Sequence, residues 1–151
     1  APHHRKRRKS FNVDQQAHAL TFSTYRRQPF FAAPFLADLF CSTLFKAAER
    51  LEFDVWAFVV MPEHCHVLLF PRRDPYKVSE ILKAIKAPFA KQAFDVCPML
   101  KNRCKVERAN GSVVFQFWPP GGGYDLNVYS EAKASSFISY CHNNPVRRGL
   151  C

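Results

Sequence analysis

Residues 53–70, with the sequence FDVWAFVVMPEHCHVLLF, decide the expected fold of this chain. Two apolar runs, rich in β-branched and aromatic residues, are typical of strands, and a short break with Pro62 at its centre separates them. The stretch therefore predicts two strands folded back on each other. Both are too apolar for the edge of a sheet, so we expect the other elements to pack around this hairpin.

Two histidines begin the second strand of the hairpin. Side chains alternate between the faces of a strand, so His64 and His66 are predicted to project from one face. Cys65, Val67 and Leu69 then face a core on the other side. Two imidazoles one pleat apart can hold one metal ion, and this pair is the candidate active site. Two ligands leave a metal site incomplete, so a third donor is expected from elsewhere in the chain.

The alternative interpretation is that both histidines are surface side chains and that Cys65 is a small core residue. The spacing alone favours this alternative, because His-x-His is short and common by chance. The position of the pair favours a metal site instead. Polar residues that directly follow a break between two apolar strands are uncommon, and their presence indicates a functional role.

The charge and composition point to a globular protein with a polyanionic partner. The chain has 151 residues, 48% of them hydrophobic and 15% aromatic, which is typical of one domain with a sizeable core. Its formal net charge of +10 makes nucleic acid the first candidate partner. Membrane-surface binding would require a basic amphipathic helix, whereas the charges here lie mostly in arms and loops. We expect no membrane partner, since charges or prolines interrupt every apolar run.

The cysteines and the first residues indicate the compartment. The six cysteines are Cys41, Cys65, Cys97, Cys104, Cys141 and Cys151. They form no C-x-x-C pair and no compact framework, so we interpret them as reduced thiols. A zinc site built from Cys97 and Cys104 lacks obvious partners. The first residues are basic without an apolar core, so no secretory signal is expected and the predicted location is cytoplasmic.

The other elements are predicted from hydrophobic spacing. Residues 1–16 form a basic arm suited to additional phosphate contacts, and residues 17–151 form a single domain. Besides the hairpin, the predicted elements are a strand over 17–25, a helix over 34–51, a helix over 77–94, a strand over 112–118, a short extended piece over 124–129 and a helix over about 131–143. Residues 97–110 are expected to be irregular. Pro88 is expected to kink or divide the second helix.

This order of elements predicts an α+β fold. Strand, helix, strand, strand, helix, strand, helix is the order of a ferredoxin-like plait, also called RRM-like, in which helices pack on one antiparallel sheet. The hairpin supplies its central strand pair.

The last helix carries a second set of candidate site residues. Tyr140 and Asn144 are four residues apart and so share one side of the helix. Beside a two-histidine metal site they complete a phosphoryl-transfer arrangement, in which the amide oxygen fills the third ligand position and the phenolate attacks the phosphate. A phosphotyrosine retains the phosphodiester energy for rejoining, which hydrolysis by water would lose. On the helix alone, a Tyr140 ring that simply covers the sheet is the simpler interpretation.

Two motifs together carry a family resemblance. VMPEHCHVLL at residues 60–69 and YCHNNPVRRGL at residues 140–150 resemble motifs of the single-tyrosine HUH transposases, in particular the REP-associated tyrosine transposases and insertion-sequence transposases. Shorter supporting matches are LTF at 20–22, YRR at 25–27, FW at 117–118 and GGYD at 122–125. The resemblance covers nearly the whole chain.

The resemblance implies an HUH endonuclease fold that cleaves single-stranded DNA near hairpins and forms a 5′-phosphotyrosine. It implies that His64 and His66 bind Mg²⁺ or Mn²⁺, with Asn144 as the third ligand where relatives use Gln. Imidazole ligands favour Mn²⁺ on softness. It implies that Tyr140 is the nucleophile, with Tyr124 as the second candidate. A bacterial, nucleoid-associated location and action as a monomer or homodimer are further expectations.

Three functions are compatible with these residues. The leading hypothesis is a metal-dependent single-stranded DNA endonuclease and strand transferase. Its expected phosphate contacts are Arg72, Arg73, Lys83, Lys86, Arg147 and Arg148. The second is a domesticated, catalytically inert DNA- or RNA-binding regulator, which predicts salt-sensitive binding without a covalent adduct. The third is a zinc-stabilised structural module, which predicts unfolding on chelation.

Two features depart from the family pattern. Pro119 follows Trp118 where family members often have Gln, which is expected to alter a nearby DNA contact. The chain also stops at Cys151, where relatives usually continue. If the protein is truncated or domesticated, we expect DNA binding to outlast cleavage.

Overall fold

The structure, a computed structural model, describes residues 16–120, 124–128, 135–136 and 138–139. The predicted basic arm therefore lies, except for Gln16, outside the described residues. The described helices are α1 (Pro34–Leu51), α2 (Val78–Val96) and α3 (Met99–Cys104). The described strands are β1 (Ala17–Ser23), β2 (Phe53–Val60), β3 (His64–Pro71), β4 (Lys105–Glu107), β5 (Val113–Phe115) and β6 (Tyr124–Val128). Short 3-10 turns at Tyr25–Arg27 and Phe30–Ala32 connect β1 to α1.

Four of the described strands form one antiparallel sheet in the order β2-β3-β1-β6. The hairpin predicted from residues 53–70 is present as β2 and β3. Strand β3 lies between β2 and β1, which explains why nearly all of its side chains are buried. The α+β fold with helices packed on an antiparallel sheet is confirmed.

The expectation that neither hairpin strand lies at an edge is wrong for β2, which is an edge strand of the described sheet. Neighbouring side chains cover part of its apolar surface. Phe45 of α1 packs edge-on against Phe58, with ring centroids 5.7 Å apart. Trp56 stacks on Phe70 of β3 at 5.2 Å, although it remains half exposed. These cross-strand and helix contacts allow an apolar sequence at the edge.

Helices α1 and α2 cover one face of the sheet. Helix α1 has the predicted bounds, with Pro34 in its first turn, where the missing N–H costs nothing. Its buried residues Leu36, Phe40 and Leu44 recur at helical spacing and meet Leu20 and Phe22 of β1 in the main core. Aromatic rings dominate the centre of that core. The mutually packed rings are Phe22, Phe31, Phe40, Phe89, Phe117 and Trp118.

Pro88 was predicted to kink or divide the second helix, and division is wrong, because α2 continues through this proline. A proline inside a helix removes one hydrogen bond and costs about 3 kcal/mol. Tertiary contacts of the same turn offset this cost. Ile85 and Phe89 are fully buried. In addition, the Trp118 indole Nε1 donates a hydrogen bond to the Lys86 carbonyl oxygen at 3.1 Å.

The predicted strand over residues 112–118 is shorter and lies in a different sheet. Only Val113–Phe115 is extended, and it pairs with Lys105–Glu107 in a separate two-stranded sheet. The fourth strand of the main sheet is β6, which was predicted only as a short extended piece. The strand at 113–115 ends early because Phe117 and Trp118 are both buried in the aromatic core. Consecutive side chains of a strand point to opposite faces, so two adjacent core residues end it.

The segment 97–110, expected to be irregular, contains α3 and β4. Leu100 and Cys104 are four residues apart and both buried, which gives the short helix one apolar side despite its charged sequence. The first predicted strand also ends two residues early, at Ser23. Thr24 turns away there, and its backbone N–H donates to the Glu63 carbonyl oxygen at 2.9 Å.

The second face of the sheet carries a smaller apolar cluster. Its buried members are Ala17, Ala19 and Leu68, with Ala57, Phe70 and Ile138 packed against them. Ile138 belongs to the predicted last helix, of which Ser135, Ser136, Ile138 and Ser139 are described and helical. At Ile138, the helix therefore contacts the face opposite α1 and α2. Within the described part of the chain, no helix combines the length and apolar character that crossing a membrane requires.

The aromatic core yields a stability prediction. Phe89→Ala should lower the free energy of unfolding by about 3–5 kcal/mol, because it removes a fully buried ring and leaves a cavity. The matched control is Phe35→Ala in α1, where the ring is half exposed and the expected loss is below about 1 kcal/mol. Urea unfolding followed by circular dichroism measures both. Equal losses for the two variants would contradict the assignment of the core.

Candidate metal centre

The two histidines of the hairpin lie where the alternation predicts. They open β3, and they face away from α1 and α2, whereas Cys65 and Val67 are fully buried in the main core. His64 pairs with Ser23 of β1, and His66 pairs with Thr21. His64 and His66 are themselves largely buried, with 9% and 5% of their surface exposed. The interpretation as freely exposed surface side chains is therefore wrong.

The two imidazoles face each other. His64 Nε2 and His66 Nε2 are 3.0 Å apart, and the ring planes are nearly perpendicular at 85°. His64 Nδ1 lies 3.0 Å from Glu63 Oε1. An ionised carboxylate can only accept a hydrogen bond, so the His64 Nδ1 proton points to Glu63. When the ring is neutral, its Nε2 then presents a lone pair to the space shared with His66.

The other imidazole is held by a threonine. His66 Nδ1 lies 2.8 Å from Thr21 Oγ1 on the neighbouring strand. Burial and the neighbouring His64 lower the pKa of His66 from 6.5 to about 4. His66 is therefore neutral near pH 7, which is the protonation state that a metal ligand requires.

The donor set fits two neighbouring ligands of one ion. Two ligand atoms, each about 2.1 Å from an ion and at right angles, lie about 3 Å apart. Each Nδ1 also has a polar partner that fixes the ring, as metal-bound imidazoles usually do. Among the described residues, no His, Cys, Asp or Glu joins the pair to make a group of three. Asn144, the predicted third ligand, lies outside the described residues.

The described cysteines do not build a zinc site. Cys97 and Cys104 belong to no metal-ligating group in the part of the chain that the structure describes. Cys104 is fully buried, and desolvation raises the pKa of its thiol to about 11, which keeps it protonated. The structural zinc hypothesis receives no support from this pair, because neither thiol belongs to a group of three metal-ligating residues among those described.

Neither candidate nucleophile has a described side chain. Tyr140 lies outside the described residues, two positions after Ile138. The backbone of Tyr124 is described as the first residue of β6, where it pairs with Thr21. Since Thr21 also pairs with His66, these three residues occupy one rung across β6, β1 and β3.

The basic residues that were predicted to contact phosphate, where they are described, lie away from the histidine pair. Arg72 and Arg73 follow the far end of β3, which at about 3.3 Å per residue is roughly 23 Å from His64. They form ion pairs with Asp54 and Glu52, respectively, each at 3.1 Å. Arg147 and Arg148 lie outside the described residues.

The two lysine candidates belong to α2, on the other face of the sheet. Lys83 is exposed there. Lys86 is half buried, with its Nζ about 6 Å from the ring centroids of Phe22 and Trp118, and this burial lowers its pKa. In this position Lys86 packs on the aromatic core and does not reach the histidine face.

Sequence reasoning missed three residues that contact the pair or its partners. Glu63 was part of the quoted motif without a role, although its position next to His64 was a usable signal. Thr21 becomes a partner of His66 only through the pairing of β1 with β3. Arg27 lies 3.5 Å from Glu63 across a turn, and no local pattern indicated that contact.

Comparison with known proteins shows the family of the chain. The family profile described as "Transposase IS200 like" matches residues 12–144. The chain belongs to this transposase family. The match spans most of the sequence, including the HUH motif and residues 140–144 of the tyrosine motif, and confirms the predicted resemblance. Membership places the chain among proteins that process DNA.

Two solved structures show the same fold. A REP-associated tyrosine transposase bound to a REP hairpin has a TM-score of 0.71 and 18% identity, with 97% of this chain and 76% of that chain covered. A candidate transposase from Deinococcus radiodurans R1 has a TM-score of 0.58 and 21% identity, with 91% of this chain and 97% of that chain covered. No curated protein matches the chain significantly.

The burial of the pair yields a pH prediction for the protein in EDTA. His66 should titrate near pH 4, well below 6.5, in an NMR titration of its ring proton. The unfolded chain then binds more protons than the folded one between these two values. The free energy of unfolding should therefore fall as the pH is lowered through this window and be fully retained above it.

The His64→Ala variant tests the cause of this shift. It removes the neighbouring imidazole and opens the site to water, and both changes should move the pKa of His66 back toward 6.5. A wild-type His66 that titrates like a free histidine would contradict the buried arrangement.

Proposed function

We propose that this chain is a metal-dependent single-stranded DNA endonuclease and strand transferase that acts near DNA hairpins through a 5′-phosphotyrosine. The observation that carries this proposal is the face on which the last helix docks. Ile138 packs against the small apolar cluster that contains Leu68, and Leu68 is the next residue after His66 on the same face of β3. Tyr140 follows Ile138 by two residues in the sequence, so the same helix carries the proposed nucleophile, and its contact with this face of the sheet supports a role beside the histidine pair.

The roles follow from the donor chemistry. His64 and His66 would hold the ion, with Asn144 as the third protein ligand. When bound, Mg²⁺ or Mn²⁺ would polarise the scissile phosphate. Glu63 and Thr21 keep the two Nε2 atoms directed at one point. Tyr140 is the proposed nucleophile and Tyr124 the second candidate, the latter supported by its rung shared with His66.

The cleavage step balances without a further reactant. The tyrosine oxygen forms a bond to phosphorus, and the bond from phosphorus to the 3′ oxygen of the preceding nucleotide breaks. The phenol gives up its proton, and the departing oxygen ends as a 3′ hydroxyl. The phosphodiester becomes a phosphotyrosine diester, so a second 3′ hydroxyl can attack it and transfer the strand.

Charge and family support DNA as the partner. The net charge of +10 favours a polyanion, and the chain belongs to a transposase family. A relative of the same fold was solved with a REP hairpin. We therefore propose single-stranded DNA with hairpin structure as the substrate of this chain.

An adduct assay tests the reaction. The protein is incubated with labelled, hairpin-bearing single strands and Mn²⁺, and a denaturing gel is examined for a protein–DNA species. Tyr140→Phe should abolish this species and leave DNA binding intact, because it removes only the attacking oxygen. Tyr25→Phe is the matched control and should form the adduct at the wild-type rate.

Two other results of the adduct assay would change the proposal. Loss of the adduct in Tyr124→Phe instead of Tyr140→Phe would move the nucleophile and leave the reaction class unchanged. Salt-sensitive binding with no adduct in the wild-type protein would contradict the enzyme and favour the inert regulator.

A second prediction concerns the partner of His66. Thr21→Val should weaken Mn²⁺ binding by about 10- to 100-fold, because the His66 ring loses the hydroxyl that fixes its orientation. Isothermal titration calorimetry measures the affinity. The control is Thr43→Val in α1, whose hydroxyl donates to the Leu39 carbonyl oxygen away from the site. Equal Mn²⁺ affinity in Thr21→Val and Thr43→Val would remove Thr21 from the site.

A further inference from the structure

A strained basic turn lies beside the histidine pair. In the turn Tyr25–Arg27, Arg26 and Arg27 adopt left-handed backbone angles, with φ of 53° and 51°. Such angles favour glycine or asparagine, and two consecutive arginines in this region are unusual. Strain of this kind persists only where the surrounding structure imposes it, and it concentrates at functional sites.

The surroundings of the turn do impose it. Thr24 Oγ1 donates to the Gln28 carbonyl oxygen at 2.7 Å and lies 3.2 Å from the Glu63 carbonyl oxygen. The Tyr25 backbone N–H donates to the Phe117 carbonyl oxygen at 2.8 Å. Gln28 Nε2 donates to the Arg103 carbonyl oxygen at 2.9 Å. The turn is therefore fastened on both sides, and one of its anchors is the break of the hairpin that carries the histidines.

The two arginines point to different places. Arg27 Nη1 donates to Ser23 Oγ at 3.2 Å, and its Nη2 lies 3.5 Å from Glu63 Oε1. Ser23 pairs with His64, and the same Glu63 oxygen contacts His64 Nδ1. The Arg27 guanidinium thus lies at the rim of the histidine pair. Arg26 instead lies over the Tyr25 ring, with its guanidinium carbon 5.2 Å from the ring centroid.

Structural stabilisation does not account for Arg27. Its side chain is 63% exposed, and an exposed ion pair at 3.5 Å adds little to stability. Glycine at this position would relieve the backbone strain. A planar guanidinium has five N–H donors and binds phosphate oxygens in a forked geometry. A cation of this kind, held in water at the entrance of the site, is suited to an incoming phosphodiester.

We propose that Arg27 is a phosphate-binding residue of this site, and that the strained turn exists to hold its guanidinium at the phosphodiester of a single strand lying beside His64. This inference rests on the proposed function. It extends that function by naming the backbone contact next to the histidine pair. Because Glu63 contacts both Arg27 and His64, the arginine that binds the strand shares its partner with one of the two imidazoles.

The test separates strand binding from chemistry. Binding of a fluorescein-labelled, mixed-sequence single-stranded DNA is measured by anisotropy in EDTA over a range of salt concentrations. Arg27→Gln should weaken binding about 10-fold, as expected for loss of one charge-assisted contact. The slope of log K against log salt should decrease by about 0.7, the value for one phosphate contact on a single strand.

The chain offers matched controls. Arg26→Gln removes the same charge from the adjacent left-handed position, and Lys91→Gln removes one from an exposed position of α2, on the opposite face of the sheet. Both should bind within about 3-fold of the wild type, since long-range charge effects are screened. Arg27→Gly removes the side chain and relieves the strain. It should unfold thermally no earlier than the wild type, yet bind DNA as weakly as Arg27→Gln.

Each outcome decides the proposal. If Arg27→Gln binds as Arg26→Gln does, with an unchanged salt slope, Arg27 is not a phosphate contact. If Arg27→Gly binds DNA like the wild type, or loses thermal stability together with binding, the turn has a structural role only. If the wild-type protein forms no tyrosine adduct but Arg27→Gln still binds selectively more weakly, the phosphate contact stands and the proposed reaction fails.

Discussion

The pairing of β1 with β3 is the constraint on which the candidate site depends. It sets Thr21 opposite His66 and Ser23 opposite His64. A shift of one residue would exchange the two faces of β3 and place the imidazoles in the core. Burial of Cys65, Val67 and Leu69 against α1 and α2 prevents that shift, because each would lose its apolar environment. The position of the polar site is thus fixed by hydrophobic packing on the opposite side of the sheet.

Burial also explains why the histidine pair needs its neighbours. A polar group removed from water costs free energy unless it keeps a hydrogen-bond partner, and each Nδ1 here has one. The partners come from two directions, Thr21 from the neighbouring strand and Glu63 from the hairpin break. Glu63 is shared with Arg27, so charge at the rim and ring orientation in the site belong to one network. This coupling follows from the strained turn after β1, which folds back onto the hairpin.

Net charge and site geometry give different information. The charge of +10 indicates the class of partner but not the surface that meets it. The four described basic candidates from the sequence, Arg72, Arg73, Lys83 and Lys86, lie at the far end of the hairpin or on the helical face. Arg27, which lies close to the histidine pair, was quoted in the sequence only as part of a family motif. Contacts made across a turn and a sheet decide which cations lie near the site.

The sequence by itself determined the hairpin, the face of β3 that carries the histidines, the bounds of α1 and the family, because each depends on local periodicity or on adjacent residues. It did not determine which segment is the fourth strand of the sheet, that α2 passes through Pro88, or that Thr21 and Arg27 surround the pair. Only the tertiary structure decided these. Burial of Phe117 and Trp118 in the aromatic core stabilises the chain more than an extension of their strand would. The segment that contains them therefore does not pair with β1, and β6 occupies that position. Such competition between distant partners leaves no trace in local spacing.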